Sequence, residues 1–308
     1  SGTMASRLLF VHALTGVHPG SGTALGLVDL PIQRERHTDW PLIPGSSIKG
    51  VLKDACRRLV GSDGKMTAFQ LTAIFGRDPG GDGELVAGAM SVTDARILAF
   101  PVRSLRGVFA WVTCPAVVQR LARDLAACGI GGTPACPEPG GSGVAAFGDA
   151  LKVENAMVLE EFDFAAVADP KKQREELAEW IASRATGDEP TEARIKSHLA
   201  VLCDDDFTHF VRHATEVVAR IGLNHETKTV NKGALFYQEF LPPETLMYAL
   251  VMANDARVRD EKGQKIEAEA VAALVAGGVT GANGGGVLQF GGDETIGKGI
   301  CAVRFCEK

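Results

Sequence analysis

The sequence predicts an α+β fold, in which strands and amphipathic helices surround one hydrophobic core. Residues 8–14 are apolar on both faces of a two-residue alternation, which is typical of a strand in a covered sheet. Apolar side chains then recur three and four residues apart over 48–60, which predicts an amphipathic helix. Of the 308 residues, 45% are hydrophobic and 23% charged, which excludes collagen-like, disulfide-scaffold and wholly disordered classes.

The next elements give the order in which strands and helices alternate. Ser46 and Ser47 are suited to cap the first helix. Strand-like runs follow at 85–98 and 107–114, and Pro115 is placed to open a second helix. Together with a late strand, this β-α-β-β-α order predicts a ferredoxin-like arrangement, which RNA-recognition domains also use.

We expect one domain over residues 4–308, with a core built from about 7–128 and 245–306. Two insertions interrupt this core, a Gly/Asp-rich one at 61–88 and a helical one at about 129–218. A β-hairpin follows at about 219–240. The other predicted elements are helices at 170–185, 204–220 and 261–276 and strands at 156–164, 246–252, 286–290 and 299–305.

Charge, cysteine content and hydropathy restrict the partners and the compartment. The chain has 32 basic and 38 acidic residues and a net charge of −6, so any site for a polyanion must be local. Seven scattered cysteines without a CxxC pair argue against a disulfide framework and a structural zinc site, and favour the reducing cytoplasm. No apolar run approaches the roughly 20 residues that cross a bilayer, so we expect no membrane partner.

Two motifs suggest chemistry that their context does not favour. Residues 292–298 match the GxxxxGK part of a P-loop, but Gly299 follows instead of Ser or Thr, and a strand is predicted next instead of a helix. We therefore interpret this motif as a glycine-rich turn against a polynucleotide backbone or as a plain strand connection. His209 and His213 have a zinc-binding spacing, but without a third ligand nearby they favour an ordinary helix face.

Residues 15–45 contain too many Pro and Gly residues for a regular element, yet they are dense in polar side chains. Polar loop residues on a rigid scaffold are often functional. Those of this loop are His18, Asp29, Gln33, Arg34, Glu35, Arg36 and His37. The helix that follows carries Lys49, Lys53, Arg57 and Arg58, which form either a phosphate-facing stripe or a solvated face.

Four segments, at 25–38, 43–50, 100–107 and 291–299, resemble the RAMP superfamily. More closely, they resemble the backbone subunit of type III-B (Cmr) CRISPR effector complexes. The resemblance implies a ferredoxin-like palm with the 219–240 hairpin as a protruding thumb. It further implies that copies of the chain stack along a CRISPR RNA beside other Cmr subunits, and that the paired target RNA is cut at regular intervals.

The resemblance also assigns site residues. The cleavage aspartate falls on Asp29, and the nearby loop histidine falls on His18. In the thumb, Tyr237 and Glu239 are the remaining candidates, since Gln238 and Phe240 stand where a carboxylate and a hydroxyl would be expected. The RNA-binding residues that we predict are Arg34, Arg36, Ser47, Lys49, Lys53, Arg57, Arg103, Lys228, Lys232, Gly291, Gly292, Gly297, Lys298 and Gly299.

The expected chemistry uses the 2′-OH of the RNA as the nucleophile, so the protein mainly orients it in line with the scissile phosphate. Asp29 acts either as general base or as a ligand of Mg²⁺ or another divalent cation, and no organic cofactor is implied. Two alternatives remain open at this stage. One is a scaffold subunit of the same superfamily that binds RNA without cutting it, and the other is a guide-processing endoribonuclease with a histidine-centred site.

Overall fold

The computed structural model describes residues 4–23, 26–61, 65–77, 86–132, 134–167, 171–223, 226–227, 229–280 and 284–306, without the side chains of 223 and 230–234. The strands within these ranges are β1 (Ala5–Ala13), β2 (Leu42–Ile43), β3 (Met90–Val92), β4 (Ala95–Arg103), β5 (Phe109–Thr113), β6 (Val144–Ala146), β7 (Lys152–Val153), β8 (Ala156–Leu159), β9 (Phe162–Ala166), β10 (Leu199–Leu202), β11 (Glu216–Leu223), β12 (Val230–Phe240), β13 (Leu246–Ala253), β14 (Gly285–Gln289) and β15 (Ile300–Cys306). The α-helices are α1 (Gly45–Arg57), α2 (Ala68–Phe75), α3 (Pro115–Ala127), α4 (Lys171–Ala185), α5 (Glu189–His198), α6 (Asp204–His213) and α7 (Ala268–Val279).

A mixed α/β architecture results, and its centre is the first strand. In the large sheet β1 lies between β13 and β15 and is antiparallel to both, so that Phe10 faces Tyr248 on one side and Arg304 on the other. Every residue of β1 is buried, which confirms the strand with two covered faces that the sequence predicts. β4 continues the sheet antiparallel to β13.

The far half of the large sheet comes from the stretch that the sequence assigns to a helical insertion. Its strand order continues from β4 through β5, β10, β6, β9 and β8 to β7, with β10 parallel to β5. The insertion at 129–218 is therefore not purely helical, because it supplies five of these strands in addition to α4, α5 and α6. β10 is not among the predicted strands, because a short apolar run such as 199–202 is equally compatible with a strand and with part of a buried helix.

Two helix predictions are wrong at their boundaries. The helix predicted over 204–220 ends at His213, because the β-branched residues after Glu216 pair with β12 as β11. The helix predicted over 261–276 begins only at Ala268, whose N–H donates to the Asp255 carboxylate over 3.0 Å.

The cap of α1 also differs from the prediction. The Gly45 N–H donates to Asp94 Oδ1 over 2.8 Å, whereas Ser46 and Ser47 are exposed and make no capping hydrogen bond. A Cβ at Gly45 would lie 2.5 Å from the Val92 carbonyl oxygen, so a glycine is needed where α1 meets the sheet.

Among the strands in the described ranges, β11 and β12 pair with each other and with no third strand, and they form a two-stranded hairpin beside the large sheet. All seven cysteines are free thiols. Within the residues that the structure describes, no helix combines the length and the apolar character needed to cross a membrane.

Candidate functional site

The candidate site forms at the end of β12, where the hairpin joins the body of the protein. The Leu30 N–H donates to the Tyr237 carbonyl, and the Glu239 N–H donates to the Leu30 carbonyl, each over 3.0 Å. The loop thereby occupies the edge of β12 that β11 leaves open. Val17 and Leu241 exchange two further backbone hydrogen bonds of 3.0 and 2.8 Å. The sequence predicts a functional loop at 15–45, and the structure attaches it to the base of the hairpin.

Asp29 is exposed at this junction. Its Oδ2 accepts a 2.7 Å hydrogen bond from the Tyr237 backbone N–H, while Oδ1 accepts none from any residue in the described ranges. One oxygen therefore anchors the side chain to β12, and the other remains available to a ligand. Tyr237 itself is 41% exposed, and it is its backbone N–H that contacts Asp29.

His18 lies below the surface, between the hairpin and the C-terminal turn. Only 8% of the residue is exposed, its Nδ1 is 2.6 Å from the Glu239 carbonyl oxygen, and its ring centroid is 5.5 Å from that of Phe240. A Cβ on Gly20 would come within 2.9 Å of His18 Nε2. The imidazole thus packs the base of the site, and its second ring nitrogen faces the backbone of Gly20.

The glycine-rich turn closes against the same histidine. The Gly292 N–H donates to the His18 carbonyl over 3.1 Å, and at Gly291, with a φ of 79°, a Cβ would lie 2.3 Å from that oxygen. The Lys298 ammonium lies 4.8 Å from the centroid of the Phe240 ring. β15 begins at Ile300, so the GxxxxGK motif connects two strands and has no P-loop helix behind it, as predicted.

Glu239 and Arg34 are bonded to each other within the protein. Glu239 is 6% exposed; its Oε1 accepts from Arg34 Nη2 and, over 2.7 Å, from the Thr215 hydroxyl. Its Oε2 accepts from the Ile32 N–H over 3.0 Å. Arg34 also donates to the carbonyls of Asp39 and Val211, each over 2.9 Å. These contacts bind the loop to the hairpin base and occupy both charged groups.

The basic residues of α1 divide into two groups. The Lys49 ammonium donates to the Met90 carbonyl over 2.9 Å, and that of Lys53 to the Gly76 carbonyl over 3.2 Å. Burial, together with the charge of Lys53, lowers the pKa of Lys49 below its ordinary value. By contrast, Arg57 is exposed and pairs with Asp54 on the helix surface over 2.6 Å. Ser47, the other predicted RNA-binding residue of this helix, is exposed as well.

The other predicted RNA-binding residues lie apart from this junction or outside the description. Arg36 is exposed and pairs with no acidic side chain in the described ranges. Arg103 is exposed and pairs with Glu160 over 3.0 Å. Lys228 and the side chain of Lys232 lie outside the described residues.

Sequence reasoning missed a polar network one residue along from the Asp29 anchor. Arg220, Gln238 and Asp293 bond to one another there, although 73 residues separate the arginine from the aspartate. No spacing rule relates residues so far apart, and the glycine motif drew attention to the backbone around Asp293 instead of its carboxylate.

Asp29 is the only residue for which we predict a metal-ligand role. Over the described part of the chain, no three His, Cys, Asp or Glu side chains come together as a set that could hold a metal ion. Mg²⁺ is often held by one or two carboxylates, with substrate phosphates and water completing its shell. Asp29, an exposed carboxylate with one oxygen unbonded within the described ranges, fits this way of holding Mg²⁺ only when RNA is present, because phosphate oxygens must supply further ligands.

A mixed α/β sheet that carries a hairpin against a C-terminal glycine-rich turn agrees with the class expected from the sequence. The family model of the RAMP superfamily matches residues 10–302, and the chain belongs to that superfamily. Over 305 residues it is 40% identical to the CRISPR system Cmr endoribonuclease Cmr4 of Pyrococcus furiosus, covering 99% of this chain and 97% of the relative.

Solved structures give the same result at the level of the fold. The crystal structure of oligomeric Cmr4 from Pyrococcus furiosus superposes with a TM-score of 0.74 at 35% identity, covering 99% of both chains. A chain in the cryo-EM structure of the type III-B Cmr-beta complex bound to cognate target RNA matches with a TM-score of 0.70 at 19% identity, over 97% of this chain and 96% of that one. The second likeness extends to the fold alone.

Proposed function

We propose that this chain is a backbone subunit of a type III-B CRISPR ribonucleoprotein that binds CRISPR RNA and cuts complementary target RNA at regular intervals. The observation that carries the proposal is the exposed Asp29 carboxylate, anchored by Oδ2 at the hairpin base and with Oδ1 unbonded within the described ranges. The relative that is 40% identical is named an endoribonuclease, which supports a ribonuclease activity here. The partners are CRISPR RNA, target RNA, further copies of the chain and other Cmr subunits, in the cytoplasm.

In this proposal the palm is ferredoxin-like. The antiparallel order β15, β1, β13, β4 supports it, because α1 follows β1 and α7 follows β13, as the two helices do in a β-α-β-β-α-β fold. The hairpin of β11 and β12 is the thumb, corresponding to the 219–240 segment. The insertions at 61–88 and about 129–218 surround the palm within a single domain.

RNA would be held along the exposed surface between α1 and the glycine-rich turn. Backbone groups of glycines approach phosphates closely, and arginine side chains neutralise them. We assign this role to Ser47, Arg57, Lys298 and the glycines of 291–299, all on the surface or at the turn, and we assign a further phosphate contact to the exposed Arg36 outside that surface. A local site of this kind is compatible with a net charge of −6.

In the proposed reaction the 2′-OH of a displaced target nucleotide attacks the adjacent phosphate and expels the 5′-oxygen of the next nucleotide. The products are a 2′,3′-cyclic phosphate and a 5′-hydroxyl that takes up a proton from solvent, so the protein's main task is alignment. Asp29 lies where it could accept the proton of that hydroxyl, or bind Mg²⁺ through Oδ1. A bound divalent cation would stabilise the negative charge that develops on the phosphate. His18 would position the loop and the glycine-rich turn instead of exchanging protons, because its Nδ1 is bonded to the Glu239 carbonyl and its ring is buried. The same burial disfavours a guide-processing enzyme centred on this histidine.

Replacing Asp29 with Asn tests the proposal. Asn keeps the volume of the side chain but removes the charge that a base or a metal ligand needs, so cutting should stop while guide binding persists. We would assemble wild type and Asp29→Asn with guide RNA and Mg²⁺ and follow cleavage of a labelled complementary RNA. Omitting the divalent cation from the wild-type reaction tests the metal role.

The alternative functions give different outcomes in the same assay. Wild type that binds guide and target but leaves the target intact would identify a non-cleaving scaffold. Cutting of unprocessed guide precursor would identify a processing enzyme. Asp29→Asn cutting at the normal rate would refute the assignment of Asp29.

A further inference from the structure

Three side chains close a ring of polar contacts between the hairpin and the glycine-rich turn. Arg220 Nη1 of β11 donates to Asp293 Oδ1 over 2.9 Å and to Gln238 Oε1 over 2.7 Å. The Gln238 amide nitrogen, from β12, donates to Asp293 Oδ2 over 2.6 Å. Each member therefore contacts the other two, and the ring joins both strands of the hairpin to one residue of the turn.

The ring pairs a positive with a negative side chain and is largely buried, as expected of a persistent contact. Gln238 is 4% exposed, and the side chains of Arg220 and Asp293 are 29% and 23% exposed. Burial alone would raise the pKa of Asp293, but hydrogen bonds from Arg220 and Gln238 and the positive charge of Arg220 bring it below its ordinary value. The Asp293 carboxylate therefore stays ionised near neutral pH.

The backbone geometry places the ring beside the Asp29 anchor. Gln238 follows Tyr237, whose N–H holds Asp29 Oδ2 at 2.7 Å. On the other side of the ring, Asp293 directly follows Gly291 and Gly292, which contact the backbone of His18. A two-stranded hairpin alone is marginally stable in water, so its position depends on contacts at its base.

We propose that Asp293 and Arg220 are positioning residues that hold the hairpin, and with it Asp29, at a set distance from the glycine-rich turn. The inference rests on the proposed function, in which the turn holds the RNA backbone and Asp29 acts at the scissile phosphate. Neither Arg220 nor Asp293 needs to touch the reacting atoms. Their effect arises because a displacement of about 1 Å in a reacting group can reduce a rate by about a hundredfold.

The test uses Asp293→Asn in the full-length chain. Asp293 has a φ of 64°, a left-handed conformation that Asn tolerates well, so the variant removes the charge without straining the backbone. Asp39→Asn is a matched control: Asp39 has a φ of 63°, and within the described residues its carboxylate pairs with Arg212 over 3.2 Å and with no residue of the hairpin.

The first measurement is amide hydrogen exchange in the RNA-free protein. We expect faster exchange at residues 29–32 and 235–240 in Asp293→Asn, with β1 unchanged and with no such effect in Asp39→Asn. Because this measurement needs neither RNA nor catalysis, it decides whether the ring holds the hairpin even if the chain proves not to cut RNA. Unchanged exchange in Asp293→Asn would overturn the proposal.

The second measurement is the cutting of target RNA by the guide-loaded assembly. We expect kcat of Asp293→Asn to fall by at least about tenfold, with target KM and guide affinity unchanged, since the contact aligns groups without binding RNA. Arg220→Gln should act similarly, and the double variant should be no slower than the slower single one, because both changes remove one contact. A raised KM with a normal kcat, or fully additive effects, would overturn the positioning role.

Discussion

Glu239 illustrates how a side chain in a functional segment can serve the fold. The resemblance to the superfamily made this carboxylate a candidate for chemistry in the thumb. In the structure it accepts hydrogen bonds from Arg34, Thr215 and the Ile32 N–H, and only 8% of its side chain is exposed. A carboxylate so fully bonded is not available to RNA unless the base of the hairpin opens.

We therefore predict that Glu239→Gln lowers stability strongly. The substitution leaves Arg34, whose side chain is 15% exposed, without its counter-charge, and breaking a buried pair in this way costs about 3 to 5 kcal/mol. Thermal unfolding of the free chain measures this loss. Glu179→Gln is the control, because Glu179 pairs with Lys196 at the surface, where a pair contributes at most about 1 kcal/mol. Equal melting temperatures for the two variants would return Glu239 to the list of catalytic candidates.

At the residue scale, site residues that belong to a local motif could be predicted from the sequence. Contacts between residues far apart in the chain could not. Asp29 and His18 were singled out from one loop and its family resemblance, and the structure places both at the base of the hairpin. The Arg34–Glu239 pair and the Asp293 ring join residues far apart in the chain. Such pairs depend on the tertiary arrangement of strands, which a single sequence does not reveal.

At the element scale, the hairpin exposes apolar side chains that its own fold does not require. Ile221 and Leu235 face each other across the strands and are 52% and 53% exposed. If the thumb enters an RNA duplex, such side chains can replace the stacking that a displaced nucleotide loses, which costs a few kcal/mol per step.

We predict that the double variant Ile221→Thr and Leu235→Thr keeps its stability within about 0.5 kcal/mol but cuts target RNA more slowly. Threonine suits a strand, so the hairpin should remain paired. If these apolar side chains contribute about 1.4 kcal/mol of contact with the RNA in the transition state, losing that contact would reduce the rate tenfold. Cleavage products resolved on a gel give both the rate and the spacing of cuts. Val287→Thr, at an exposed β14 position, is the control. A double variant that cuts as well as this control would show that Ile221 and Leu235 do not replace the lost stacking.

The elements themselves were predictable where periodicity was long and breakers were clear. α3 begins at Pro115 and α4 ends at Ala185, as the pattern indicated. In the 129–218 stretch, the strand predicted at 156–164 forms the two strands β8 and β9. β10 was not predictable in this way, because it has only four residues and pairs in parallel with β5, a partner distant in sequence. A strand this short forms because it pairs with a neighbouring strand, and its own sequence pattern does not specify it.

At the scale of the whole molecule, the proposed function requires an acidic chain to assemble on an acidic polymer. With a net charge of −6, copies repel one another in general, so stacking along a guide depends on local contacts and on the RNA that joins them. The number of copies should then follow the length of the RNA.

We predict that lengthening the guide by one measured cut interval adds one chain, of 32.5 kDa, to the assembly. Native mass spectrometry of assemblies on guides of increasing length would detect these steps, and each step should add one further cut in the target. A mass that rises only by the added nucleotides would show that copy number is set by something other than the guide.

The central position of β1 has a consequence for how the chain reaches its native state. Its hydrogen-bonding neighbours are β13 and β15, which come more than two hundred residues later. During synthesis β1 therefore emerges long before either partner strand exists, and its apolar faces stay uncovered until later elements such as α4, whose Trp180 packs on Phe10, have been made. Pairings of such high sequence separation form slowly and leave unpaired edges prone to aggregation. We accordingly expect the pairing around β1 to form last, once β15 has been synthesised, with early protection of β1 depending on chaperones or on transient local structure.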